Sequence, residues 1–169
     1  GVDRIRRLYK LHQRKGTDHD MLHSAQVLFL ALMIIQVGKI KLNPMERKQL
    51  LNAIVFHDIG RTNDGIDSSH GKASQEIYEK NAGSSADPAV CFLIEYHCLS
   101  DTLAEEYLKS ADIIRAKKRT WLLYQILKDA DALDRVRFVI YDLDVNQLRL
   151  PISHKLVPLA VTAVTGIKI

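Results

Sequence analysis

Apolar residues recur at helical spacing along nearly the whole chain. The pattern predicts a short basic amphipathic helix over 3–14 and a second helix from about Asp18 to Val37, ending at Gly38. A third has a clear start, with Asn43 as N-cap, Pro44 in the first turn and Glu46 three residues after the cap. It runs to about Asp58, where Gly60 is placed to end it. Residues 61–69 form a polar loop rich in turn formers. A fourth helix is expected over about His70 to Lys80. A fifth is opened by Asp87-Pro88 and runs through about His97. Between 99 and 118 the pattern supports only a short helix around Ala104–Lys109, and a long helix spans about Thr120 to Tyr141. The tail, 145–169, has a β-branched end without an evident partner strand.

Polar residues interrupt the apolar faces at a few positions. His23, Val27, Leu30 and Ile34 share one face of the second helix, as do Leu50, Ile54 and His57 on the third. Val90, Leu93 or Ile94, and His97 repeat the spacing on the fifth, and Tyr124, Leu127 and Asp131 repeat it on the long helix. Asp58 follows His57 about 100° further round the same turn. Four helices thus each turn a metal-capable residue inward near one end. An inward Asp is the most telling of these, because carboxylates are rarely buried unless paired or bound to metal. A divalent cation explains the whole set economically.

Composition narrows the chemistry. The 169 residues are 47% hydrophobic and 26% charged, which suits one globular domain, 1–169, with a core over about 17–142 and an unassigned tail. Seven histidines accompany only two cysteines, Cys91 and Cys98, in one helical stretch without a CxxC pattern. Any metal is therefore expected on histidine and carboxylate. The mixed N/O donors suit Mn, Fe, Co, Ni or Zn, with Mg possible. The longest apolar run, Val27 to Ile35, is too short for a membrane span. No signal-peptide pattern is visible, so a cytoplasmic location is expected; the missing initiator Met suggests trimming or a fragment. The net charge of +4 is spread rather than gathered into a nucleic-acid stripe.

The string Val55-Phe56-His57-Asp58-Ile59-Gly60-Arg61 resembles the HD superfamily of metal-dependent phosphohydrolases, all-helical proteins named for the adjacent His-Asp pair. His23, His70, His97 and the segment Ala130-Asp131-Ala132-Leu133-Asp134 resemble its other motifs, in order, from about residue 17 to 138. The resemblance implies an all-α bundle. It also implies a ligand set of His23, His57, Asp58, His70, His97 and Asp131, holding one or two divalent metals. In the two-metal form Asp58 bridges; with one metal, His70 and His97 grip the phosphate. Asp58 belongs to the catalytic centre in either form. Arg61, Lys72 and Arg135 are candidate phosphate binders, with Arg149 a weaker one. Arg61 lies near enough for a catalytic role, and Asp64 and Asp67 read either as ordinary turn residues or as a general acid or base.

Some alternatives stay open. His19 or His23 could be the first ligand. Asp134 could pair with Arg135 or Arg137, Asp129 lies off the shared face, and His12 and His154 read as surface residues. The expected activity is hydrolysis of a phosphomonoester or phosphodiester, such as a nucleotide. The competing classes are a di-iron oxygenase and a metal- or nucleotide-sensing module without turnover.

Overall fold

A computed structural model describes residues 21–62, 67–138 and 142–166. Eight α-helices account for most of them, and there is no strand among the described residues. The helices are α1 (Met21–Val37), α2 (Pro44–Phe56), α3 (His70–Ala82), α4 (Pro88–Tyr96), α5 (Asp101–Ser110), α6 (Lys117–Asp134), α7 (Pro151–Lys155) and α8 (Val157–Thr165). The helix expected over 3–14, the candidates His12 and His19, and Asp64 lie outside the described residues.

Helix α1 lies along α6, α2 packs on α4, and α4 packs on α3. Val27, Leu30 and Ile34 meet Leu50 and Ile54, Leu93 and Ile94, and Leu123, Ile126 and Leu127 in one buried cluster. Each such Leu or Ile contributes about 1.5–3 kcal/mol by leaving water. The inward faces are the expected ones. Helix α1 also exposes Leu22, Phe29 and Leu32 on its outer side.

The caps explain where the helices begin. Asn43 forms a complete capping box, accepting from the Glu46 N–H while Glu46 accepts from the Asn43 N–H, both at 2.9 Å. Arg119 then closes a two-armed bond on Glu46, at 2.6 and 2.7 Å, which ties the first turn of α6 to that of α2. This contact explains why α6 starts at Lys117, a turn before the expected Thr120, in spite of three basic residues beside the helix's positive end. Ser100 caps α5 through the Leu103 N–H, so this helix is longer than the expected 104–109. At its other end α6 stops at Asp134, well before Tyr141, and passes into a 3₁₀ turn over Arg135–Arg137.

The tail differs most from expectation. Val161, Thr162, Val164 and Thr165 are helical in α8, which packs Ala160 and Val161 against that 3₁₀ turn and α6. Pro151 and Pro158 open the two tail helices, and tertiary burial overrides the weak local preference. Asp129, fully buried, accepts from the backbone N–H groups of Arg149 (2.9 and 3.1 Å) and Leu150 (2.8 Å). A carboxylate of α6 thereby caps the chain entering α7.

Candidate metal centre

His57 and His97 each follow the last residue of their helix, α2 and α4. Carbonyls of a final turn lack helical partners. Each imidazole uses one: Nδ1 of His57 donates to the Ile54 carbonyl at 2.8 Å, and Nδ1 of His97 to the Ile94 carbonyl at 2.6 Å. His70, first residue of α3, donates from Nδ1 to the Asp67 carbonyl. His23 on α1 directs Nδ1 to Asp134, 2.7 Å away. Every Nδ1 is engaged, so the Nε2 atoms are the ones presented to the centre.

They converge in two groups that share Asp58. Nε2 of His23 lies 3.1 Å from Nε2 of His57, 3.5 Å from Oδ2 of Asp58 and 3.3 Å from Oδ1 of Asp131. Nε2 of His70 lies 3.0 Å from Nε2 of His97, and Oδ1 of Asp58 is 3.0 and 3.3 Å from the two. One carboxylate thus turns one oxygen to each histidine pair. All four histidines and Asp58 are buried, while the Asp131 side chain is a third exposed.

These donors fit a cation. In the His70–His97 pair both Nδ1 protons are committed to main-chain carbonyls, so two lone pairs face each other beside a carboxylate oxygen. Bonds of about 2.0–2.2 Å to a common ion place neighbouring ligands roughly 3.0–3.5 Å apart, close to the observed separations.

Two glycines allow the helices to meet here. A Cβ on Gly60 would lie 2.3 Å from the Ser74 nitrogen, and the Gly60 N–H donates to Ser74 Oγ at 2.8 Å. A Cβ on Gly71 would lie 2.4 Å from the Glu95 carbonyl oxygen and 2.8 Å from Cys98 Sγ. Gly60 therefore serves close approach of α3, whereas α2 already ends at Phe56 with His57 as its C-cap.

The electrostatics follow from burial and partners. Burial opposes charge on His23, but Asp131, Asp134 and Asp58 outweigh it and hold its pKa well above the usual value. His57 is raised in the same way, burial being outweighed by Asp58 and Asp131. Burial lowers His97. Asp131 is held well below the carboxylate range, because His23 and His57 outweigh its burial.

Above the centre is a cavity of about 660 Å³ with Asp58, His70, His97 and Asp131 in its lining. Arg61 lines it, with Nη1 3.5 Å from Nδ1 of His70. Arg135 also lines it and bonds Asp142 at 3.1 Å. Lys72 does not. It reaches Gln75 at 3.0 Å and lies 3.8 Å from Glu95, outside the lining. Asp67 is at the rim, and its carboxylate accepts from both the N–H and Oγ of Ser69. Those bonds lower its pKa, so it stays ionised and is a poor proton donor. Asp134 pairs with Arg137 rather than Arg135. Exposed His154 lies away from the centre on α7.

Three residues have a larger part than their sequence context indicates. Lys128, one turn before Asp131, lines the cavity and bonds the Leu99 carbonyl (2.6 Å), Asp101 (3.0 Å) and Tyr124 Oη (3.0 Å). Arg149 grips Asp101 with two arms, at 2.7 and 2.8 Å, and lies 3.3 Å from Asp129. Cys98 faces the same cavity beside His97. The i,i+3 spacing of Lys128 to Asp131 was the available signal for the first; Arg149 was only a weaker phosphate candidate, and its partners on two other helices had no signal in the sequence.

A family model for the HD domain matches residues 21–136. No curated protein and no solved structure matches the chain. No helix among the described residues is long and apolar enough to cross a membrane.

Proposed function

The chain belongs to the HD domain family, and from that premise we propose that it is a metal-dependent phosphohydrolase using two divalent ions. Its substrate is a small phosphomonoester or phosphodiester, nucleotides included. The observation that carries this reading is the division of Asp58, one oxygen toward His23 and His57 and the other toward His70 and His97. With Asp131 beside the first pair, His23, His57, Asp58 and Asp131 would hold one ion, and Asp58, His70 and His97 the other. Ions held there would supply activation of water near neutral pH and neutralise charge gathering on phosphoryl oxygens.

Charge in the cavity supports an anionic substrate. Among the described lining residues, Arg61, Lys128, Arg135, Arg137 and Arg149 match five carboxylates. The side chains cancel, and two divalent ions tip the balance positive. Arg61 and Arg135 are assigned to orient the phosphoryl group, since a guanidinium can bind phosphate with two arms. Lys128 and Arg149 have their N–H groups engaged by Asp101, Asp129 and nearby carbonyls, so they shape the wall instead.

The test is elemental analysis of the purified protein, then a hydrolysis screen with Mn, Mg, Ni, Co, Zn and Fe, read as phosphate released from monoesters and as monoester or alcohol released from diesters. Metal-dependent release that is lost in His57→Ala and Asp131→Ala is expected. A metal-loaded protein that neither frees phosphate from any monoester nor cleaves any diester overturns the reading. Oxygen consumption by the iron form would replace it with the oxygenase.

A further inference from the structure

We propose that Cys98 is a ligand of the second ion, so that the two positions differ in chemistry. This rests on the metal centre described above. The sequence favours histidine and carboxylate alone, because neither cysteine lies in a zinc-type spacing. Folding changes that. Ligand atoms of His70, His97 and Cys98 lie within 4.8 Å of one another.

Two features bring the thiol there. Cys98 follows His97 directly, just beyond the end of α4, where the chain turns toward the cavity. Gly71 follows His70, and its missing side chain leaves the space that Sγ occupies. Among the described residues the thiol's contacts are long ones, to the Ser68 carbonyl at 3.4 Å and the Glu95 carbonyl at 3.8 Å, and the Gly71 N–H also faces it. With metal–sulfur bonds of about 2.3 Å and metal–nitrogen bonds of about 2.0–2.1 Å, Sγ and an imidazole nitrogen on one ion can lie up to roughly 4.4 Å apart, so the thiol needs to shift inward from its present place.

On binding, the S–H bond breaks, a sulfur–metal bond forms and the proton leaves to solvent, with no change of oxidation state. The second position then offers two imidazoles, one carboxylate oxygen and one thiolate. The first offers two imidazoles and two carboxylates. A thiolate is a soft donor, so the second position favours zinc, cobalt or iron over magnesium or manganese, while the first accepts harder ions.

Cobalt(II) titration of the reduced, metal-free protein tests this by absorption. Visible ligand-field bands report any cobalt in the centre, and a near-ultraviolet sulfur-to-cobalt charge-transfer band reports the thiolate. The expected result is a charge-transfer band that saturates with half of the bound cobalt. Cys98→Ser should lose this band and keep the visible ones, and Cys91→Ser should keep both. Visible bands without the charge-transfer band in the wild-type protein overturn the proposal and leave the phosphohydrolase reading intact. No cobalt bands at all overturn both.

Discussion

Oδ2 of Asp134 lies 2.7 Å from Nδ1 of His23, and the Arg137 guanidinium bonds the same oxygen. The carboxylate fixes the imidazole's tautomer and strengthens Nε2 as a donor, while Arg137 offsets its buried charge. Asp134→Asn keeps the shape and weakens the acceptor. Metal affinity should fall about 10–100-fold, read by calorimetric titration. Unchanged affinity would mean that Asp134 serves only packing.

Asp58 faces both histidine pairs, so its loss differs from that of any single histidine. Asp58→Ala should carry almost no metal, whereas His97→Ala should retain about one ion of two. Metal content per chain, measured on protein purified without added chelator, separates these outcomes. If Asp58→Ala keeps one tightly bound ion, the bridging assignment is wrong.

Gly71→Ala places a methyl group 2.4 Å from the Glu95 carbonyl oxygen. Backbone cannot yield cheaply there, so α3 and α4 must separate. The expected cost is about 1–3 kcal/mol in a denaturant titration. The His70–His97 position should weaken more than the His23–His57 position.

The pH dependence of stability should reverse with metal. In the metal-free protein, neighbouring carboxylates raise His23 above its unfolded value. That contribution is complete below about pH 6.5 and is lost as pH rises through the raised value. Bound metal must displace this proton, so the loaded protein should instead lose stability on acidification. Melting temperatures with and without zinc between pH 5.5 and about 8.5 would show opposite slopes. Parallel slopes would contradict the assignment of His23 as a ligand.

Arg149→Ala should destabilise the fold by about 1.5–3 kcal/mol, the range for hydrogen bonds to charged groups. Asp101, held at about 2 by burial set against Arg149 and Lys128, should move back toward the ordinary carboxylate range. Its contribution, present above about pH 4, is lost in the wild type only as pH falls through about 2. The variant should therefore begin acid unfolding at higher pH.

Much of this centre was legible in sequence because helical spacing alone turns His23, His57, His97 and Asp131 inward. Their neighbours on the same faces, Val27, Ile54, Ile94 and Leu127, are all fully buried. The resemblance added His70 and the expectation that Asp58 is shared. Contacts between distant segments were not legible. Lys72 follows His70 yet faces Glu95, because adjacent helical residues point some 100° apart. Arg149 and Asp129 meet only because the tail folds back over α6, which its β-branched composition did not foretell.

His23 and Asp134 stand 111 positions apart in the chain and touch at the centre. An ion held by His23 and Asp131 therefore acts as a reversible cross-link, closing a loop that spans most of the described fold. Loop closure grows slowly in cost with length, so even this wide span is joined at modest entropic expense. Occupancy then sets the population that opens, deepening the folded state by RT ln(1 + [metal]/Kd). On the proposed metal binding, a chain without its ions would be the one most exposed to proteolysis, and metal supply would govern how long the protein persists.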